Sequence, residues 1–421
     1  MRSGIAASAR RSIGAAVALA ALAFRNVLRH RGRTAMVLTA IAFGVAALIV
    51  TGGFVQDIYV KLAEALIRSQ SGHLQIARES YFAEGSRSPE KNLLRDPADV
   101  AAAVARAAPG ALSMTRLSFS GLLNNGRTDF PIVGEGVEPA KESGGASQVK
   151  MVAGRSLTSD DQFGMVVGQG LAEALRLAPG DRANLIVSSV DGAMNTLDFE
   201  IVGVSQSFSK DYDARAVRVP LAAAQELLNT AGGNVVVVLL PATPDTERVA
   251  TALAADLKAR GLAMRTWEEL NDFYRGTVEL YERQFLVLRL IVLVMVMLAV
   301  ANAVNMTVFE RVGEFGTLMA MGNRSSHVFG LVALENGLIG LMGASLGIAV
   351  GVCAAWAITA AGIAMPPLPN ANIGYTMSIR LTPGAAATAF AVGFAATVLA
   401  SLWPAARVSR KSIVESLRQN V

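Results

Sequence analysis

Cysteine is almost absent from this chain. Among its 421 residues there is one, Cys353, so no disulfide can form within it and any large domain must be held by its own core. Three histidines, His30, His73 and His327, cannot build a Cys/His metal site with that single thiol, and no Ser/His/Asp or Cys/His constellation can be assembled from them. A Walker A loop is missing too, because no glycine-rich stretch leads into Gly-Lys-Ser/Thr, which excludes an ATPase site of that kind. Charge is scarce at 17% of residues, against 52% hydrophobic. With a mean hydropathy of +0.42, the composition lies outside the soluble range and calls for a membrane.

Four uncharged runs are long enough to cross a bilayer, which takes roughly 20 apolar residues. They are Thr34 to Gln56, Leu290 to Phe309, Asn336 onward to about Ile358, and Leu381 to Ala406. Ahead of the first run stand Arg2, Arg10, Arg11, Arg25, Arg29, Arg31 and Arg33 with no acid, so the positive-inside rule places the N-terminus in the cytoplasm. The tail over 407–421 adds Arg407, Arg410, Lys411 and Arg418 against Glu415, and an even number of spans puts it on the same side. Residues 57–289 then form a large outer domain with 24 Lys and Arg against 29 Asp and Glu, although the whole chain is +5. The basic balance therefore sits at the cytoplasmic ends, where it suits anionic lipid headgroups and not nucleic acid. RRSIGAAVALAALAF also has the build of a signal peptide with Ala21-Leu22-Ala23 as cleavage site, and cleavage would invert the topology. The arginines that follow in FRNVLRHRGR favour an interfacial helix over residues 1–33.

Within the outer domain a β-α-β grammar occurs twice. GHLQIA reads as a strand, DPADVAAAVARAAPG as a helix starting at Asp96 or Pro97 and stopped by Gly110, and ALSMTRLSF as a strand. NVVVVLL, PDTERVATALAADLKARG and LAMRTW repeat the order, so a small ferredoxin-like α/β domain is expected, split by an insertion. The insertion reads mostly β, in FPIVGEGVEP, GMVVGQG, ANLIVSSV, TLDFEIVGVSQSF and RAVRVPL, with one helix in GLAEALRLAPGD. GEG and GQG are expected to be turns. Helical sequence continues from the membrane in DIYVKLAEALIRSQ and WEELNDFYRGTVELYERQFLVLRL, so the first two spans are expected to project as a stalk.

FERVGEFGTLMAMGNRSS stands between the second and third spans, on the cytoplasmic side. Phe309, Val312, Phe315 and Met319 share one helical face, and Arg311 can pair with Glu314 at i,i+3. Gly322 is the expected stop, with Ser325 or Ser326 capping the next helix. Such a helix lies either against the inner leaflet or against a protein. The third span carries Gly340, Gly343, Gly347 and Gly351, a register that permits close helix packing within the protomer or across a dimer seam. Glu335 is the acid inside a span; it is either a functional group or is hydrogen-bonded to Asn302, Asn305 or backbone.

ERVGEFGTLMAMGNRSSHVFGLVALENGLIGLMGASLGIAVG resembles the signature of the permease family that includes MacB, LolC, LolE and FtsX: E-R-x-x-E-(I/F)-G-x-L-x-A-x-G, a few polar residues, then a glycine-rich span. FRNVLRHRGRT, VVGQGLAEALRLAPGDRANLIV and WPAARVSRKSIVESLR are similar to other family segments, and the likeness runs from about Phe24 to Arg418. The tail departs from it in SRKSIVE, where the family often has proline before V-E. The resemblance implies an α-helical membrane protein with four transmembrane helices plus an α+β periplasmic domain between the first and second. Its porter-like βαβ units would occupy 71–123 and 225–267, its inserted β-rich subdomain 124–224. The transmembrane helices would occupy 34–56, 290–309, 327–358 and 381–406, with a coupling helix at 310–326 and a periplasmic loop at 359–380.

The same resemblance implies a bacterial inner-membrane permease subunit of an ABC transporter. A second protomer, of the same or a related chain, and a dimer of ABC ATPase subunits would be its partners. ATP and Mg would bind to the ATPase and no cofactor to this chain. The coupling helix would dock on the ATPase through Glu310, Arg311, Glu314, Phe315, Gly316 and Met319. The lack of a fused ATPase, the length and SGHLQIA resemble the LolC and LolE architecture. Release of lipidated cargo from the outer leaflet to a periplasmic carrier is then the first expectation. Efflux through a separate adaptor is the second, and FtsX-like mechanotransmission without a substrate the third. A cargo cavity would be lined by Val50, Phe54, Ile58 and Tyr59 on one side and Phe285, Leu288 and Val292 on the other.

Overall fold

The structure is a computed structural model that describes residues 25, 31–84, 92–94, 96–142, 149–367, 372 and 374–409. The interfacial helix expected over 1–33, apart from its last turn, and the tail from 410 onward lie outside the described residues. In chain order the main elements are α1 (Arg31–Leu66), extended by a π-helical turn (Ile67–Ser71), β1 (Leu74–Ala77), α2 (Pro97–Ala107), β2 (Leu112–Asn124) and β3 (Asp129–Val137). Then come β4 (Lys150–Gly154), β5 (Gly164–Gly168), α3 (Gln169–Leu175), β6 (Arg182–Ser188), β7 (Met194–Gln206), β8 (Ala216–Pro220) and α4 (Leu221–Leu228). The chain continues through β9 (Val235–Leu239), α5 (Thr246–Ala259), β10 (Ala263–Thr266), α6 (Asp272–Glu310), α7 (Val312–Ala320), α8 (Ser325–Ala361) and α9 (Pro383–Ser409). They form two compact units, one made of Tyr59–Val278 with Ala364–Tyr375 and one of the remaining segments.

Among the described residues four helices, α1, α6, α8 and α9, are long and apolar enough to cross a membrane. Lipid offers no hydrophobic drive for helices to associate, so their packing depends on how closely backbones approach. The α8 glycines provide that approach along α1 in matched four-residue steps. A methyl group on Gly343 would lie 2.9 Å from Ile41 Cβ, on Gly347 2.6 Å from Val45 Cβ and 2.9 Å from the Ala42 carbonyl oxygen, and on Gly351 3.1 Å from Ile49 Cβ. Gly340 does the same for Thr397 of α9 at 3.0 Å. The register that left two packing modes open in the sequence is thus used within the protomer. At the other end of the α1 span, Ser378 donates to Asp57 at 2.5 Å and the Arg380 amide donates to the Gly53 carbonyl at 3.0 Å.

The α/β unit has the ferredoxin-like strand order β10-β1-β9-β2, all antiparallel. Helices α2 and α5 cover one face, burying Val100, Val104, Val249, Leu253 and Leu257 against Leu74, Ile76, Val236 and Val238. Asp96 caps α2 by accepting from the Ala98 and Asp99 amides. The insertion closes on itself: β2-β3-β8-β5-β7-β6 and back to β2 is a six-stranded barrel, with β4 added on β7. Leu117, Phe119, Leu185, Phe199, Val217 and Val219 fill it, as interiors of small barrels are filled by side chains.

Two expectations change here. The boundary drawn at 123/124 falls inside β2, which pairs with β9 through Arg116 and with β3 from Leu117, so one strand serves both sheets. GEG is not a turn but part of β3, where Gly134 lies under the Phe119 ring and a methyl would come 2.1 Å from it. GQG marks a strand-to-helix junction, with Gly168 ending β5 and preceding α3.

His73 is buried where the π turn meets β1. Its Nδ1 accepts from the Leu240 amide at 3.1 Å, so its proton resides on Nε2 and is donated to Thr243 Oγ1 at 3.1 Å. Thr243 in turn donates to Glu64, which also receives Arg68. Burial holds the His73 pKa below the ordinary histidine value, against the pull of the Glu64 carboxylate.

Two predictions follow from this packing. Gly347→Leu drives a side chain into the Ala42 backbone and should destabilise the helix assembly by about 1–3 kcal/mol or more, read as a lower melting temperature in detergent. Because the fold binds neutral His73, the unfolded chain protonates first, near pH 6.5, as pH falls. Stability is then full above that pH and declines below it, by up to about 1.4 kcal/mol per pH unit. His73→Asn should flatten this part of the pH–stability curve of the full-length protein.

Candidate functional site

The helix α6 ends at Glu310, and Arg311 leaves helical geometry (φ −103, ψ 10) before α7 begins. After α7, Gly322 takes φ +93, a conformation open to glycine, and Arg324 is extended. Neither serine caps the next helix, since α8 starts at Ser325 behind Arg324 and without a side-chain cap. The expected stop is present and the expected cap is not.

The two faces of α7 divide sharply. Val312, Phe315 and Met319 are buried with Val308, Val328, Leu331 and Val332 in the core of the membrane unit. Gly313 and Gly316 are buried beside them. Phe309, expected on that face, is 57% exposed. Glu310, Glu314, Thr317 and Met321 face outward.

Arg311 determines how this helix is seated. Though charged, it is 8% exposed, and its Nη1 donates to Glu335 of α8 at 2.9 Å. Its Nε donates to Glu314 at 2.9 Å, the i,i+3 pair expected from sequence, and its guanidinium carbon stands 5.1 Å from the Phe315 ring centroid. A planar guanidinium can reach two carboxylates through separate nitrogens while its face lies near an aromatic ring, a fixed geometry that a lysine ammonium does not supply in the same way. The sequence offered Asn302, Asn305 or backbone as partners of Glu335; Asn302 is exposed and Asn305 half-buried, and the structure adds the guanidinium of Arg311 at 2.9 Å. The available signal was that a lone intramembrane acid needs a cation, but two arginines stand upstream, Arg311 and Arg324, and the nearer in sequence, Arg324, is not the one that pairs.

The six residues carried over as ATPase contacts therefore separate. Glu310 and Glu314 are exposed, while Arg311, Phe315, Gly316 and Met319 are buried in the chain's own core. Those four pack within the chain, and the outward set is what α7 and its ends expose. Among the residues chosen for a cargo cavity, Ile58 is 3% exposed and lines no open surface. Val50, Phe54, Tyr59, Phe285, Leu288 and Val292 are half-buried, and Val292 packs into the core cluster of the membrane unit. The open face of α6 carries Leu286, Leu290, Met295 and Leu298 instead.

Comparison with known proteins gives two family models. Residues 34–256 match the MacB-like periplasmic core domain and residues 286–413 the FtsX-like permease C-terminal region. An uncharacterised ABC transporter permease of Methanocaldococcus jannaschii is 23% identical over 63% of this chain and 64% of its own length. One of Mycobacterium tuberculosis is 27% identical over 45% of this chain and 21% of its own length. The chain thus spans less than two thirds of either relative. Among solved structures, the periplasmic region of MacB from Actinobacillus actinomycetemcomitans aligns at a TM-score of 0.34 and 16% identity, covering 51% of this chain and 95% of that one. The extracellular domain of YknZ from Gram-positive bacteria aligns at 0.33 and 12%, covering 46% and 99%.

Arg311→Met takes the guanidinium away from a buried carboxylate and should destabilise the membrane unit by about 3–5 kcal/mol. Adding Glu335→Met should restore most of the loss in thermal unfolding of the detergent-solubilised protein. An Arg311→Met protein as stable as the unsubstituted one would sink this account of the ion pair.

Proposed function

The chain belongs to the family of MacB/FtsX-type permeases of ABC transporters, with a MacB-like periplasmic core domain and an FtsX-like permease C-terminal region, and from that premise we propose that it passes the ATP-driven motion of a separate ATPase to its own α/β domain. The observation that carries this reading is the two-faced seating of α7. The helix is bolted inward through Arg311 to Glu335 and offers Glu310, Glu314, Thr317 and Met321 outward, in the break between two membrane helices. With the N-terminus in the cytoplasm by the positive-inside rule, α7 faces the compartment where ATP is hydrolysed. A push on its outer face is delivered to α8 through a short, buried ion pair and a packed core instead of a flexible loop. ATP and Mg remain with the ATPase dimer, on which two permease protomers would sit.

The cargo we propose is lipidic, a lipidated protein drawn from the outer leaflet and passed to a periplasmic carrier. Supporting it is the second span, of whose most apolar window the rest of the chain covers 11%, against 39%, 33% and 33% for the other three. The uncovered Leu286, Leu290, Met295 and Leu298 give acyl chains or a second protomer an apolar surface to meet.

The test is purification of the tagged chain from native membranes, with mass spectrometry of bound proteins and lipids. An ABC ATPase together with lipidated protein is the expected result. Thr317→Arg with Met321→Arg should lower recovery of the ATPase about tenfold or more, a change of 1.4 kcal/mol in affinity, while leaving the melting temperature unchanged. Recovery of an adaptor and no lipidated cargo would replace release by efflux, and the absence of any ATPase would overturn the reading.

A further inference from the structure

Where α1 ends, the α/β unit buries four charges. Arg116 on β2 and Arg218 on β8 have side chains 6% and 8% exposed, and Glu135 on β3 and Glu142, from the short helix Pro139–Glu142, are 13% and 12% exposed. Arg116 Nη2 meets Glu142 at 2.9 Å, and Glu135 lies 3.4 Å from Arg218 and 3.7 Å from Arg116. What makes the cluster more than a core ion pair is its other contact. Arg116 Nη1 donates to the Gln70 carbonyl at 2.8 Å, and Arg218 Nη2 donates to the Ser69 carbonyl at 2.7 Å. Carbonyls at a helix C-terminus have no partner in the helix and carry partial negative charge, so two guanidiniums there fasten that end both by hydrogen bonds and by the dipole.

The arginines come from different parts of the unit. Arg116 occupies the last position of β2 paired with β9 of the ferredoxin-like sheet, and Arg218 pairs across from Val166 within the barrel. Glu135, the middle residue of GEG, bridges them. Every buried side-chain polar atom without a hydrogen-bond partner among the described residues also lies here: Ser69 Oγ, Gln70 Nε2, Arg116 Nε, Glu135 Oε2 and the Tyr212 hydroxyl. Burial, with the Glu135 carboxylate, pushes the Tyr212 pKa up, so its hydroxyl stays neutral. Glu135 Oε2 is still faced by both guanidiniums and Tyr212 by Arg218, whereas Ser69 Oγ and Gln70 Nε2 each cost roughly 1–3 kcal/mol, and well-packed apolar side chains would generally serve stability as well or better. Stability alone therefore does not account for the cluster.

The geometry points to a mechanical role: Arg116 and Arg218 are positioning residues that clamp the end of the first helix to the ferredoxin-like sheet and to the barrel at once, so that movement of the helix displaces both together. This rests on the force-transmitting function proposed above. The cluster is neutral, so it can be removed in balanced halves, Arg116→Met with Glu142→Met, or Arg218→Met with Glu135→Met, without stranding a charge. Arg218→Lys keeps the charge but loses the second arm, and serves if a double variant fails to fold.

The experiment uses the full permease–ATPase complex, in a Cys353→Ala background with spin labels at Met194→Cys on the barrel and Trp356→Cys on α8, both exposed. Distances are measured with and without ATP. In the unsubstituted joint, ATP should shift the distance distribution. In the variants, with melting temperature and ATP hydrolysis retained, the shift should disappear or broaden into several positions. A full shift in folded variants would overturn the clamp and leave the proposed function standing. No shift with the joint intact would overturn the transmission of motion itself.

Discussion

The close approach of α8 to α1 is the constraint on which the membrane unit depends. Between apolar helices in lipid, attraction comes largely from close packing, and here the helices meet where one has no side chains. Gly343, Gly347 and Gly351 receive Ile41, Val45 and Ile49 one turn after another, and Gly393 of α9 takes Val45 from another side. The core that extends from this seam includes Val300 and Val304 of α6 and Phe315 of α7. The seating of α7 is therefore a continuation of the same packing, completed by one buried ion pair from Arg311 to Glu335.

Polar groups in this protein are buried at places where elements must hold a direction. Asp57 with Ser378, Arg311 with Glu335, and the arginines at the end of α1 are three such places. An apolar contact is non-directional and lets helices slide, whereas a guanidinium with two or three fixed partners admits one geometry. In the α/β unit β2 does the corresponding work by main-chain pairing. A single strand belongs to the ferredoxin-like sheet at one end and to the barrel at the other.

Much of this architecture was legible because its signals are local. The four spans are runs of apolar residues, the two β-α-β units announce themselves by period and by caps such as Asp96 and Gly110, and the glycine spacing of α8 reads directly off the chain. The candidate site was legible in position but not in orientation. Phe315 and Met319 could have faced a partner or the core equally well by spacing, since helical periodicity says which residues share a face and not what covers it. The glycines of GEG looked like turn residues, and only the Phe119 ring on the neighbouring strand explains Gly134 within β3.

The sequence by itself determined the long apolar spans, the two β-α-β units, the mostly β insertion that splits them, and the short charged helix between the second and third spans, though not β4 or α4. All follow from interactions within a few residues of chain. Tertiary structure alone decided that the insertion closes as a barrel, that Gly343, Gly347 and Gly351 meet α1 while Gly340 meets α9, and that Arg311 turns inward to Glu335. It also decided that Arg116, Glu135, Glu142 and Arg218 gather at the end of one helix. Each of these is a contact between groups distant in sequence, and a long side chain such as arginine carries no local mark of which distant partner it will reach.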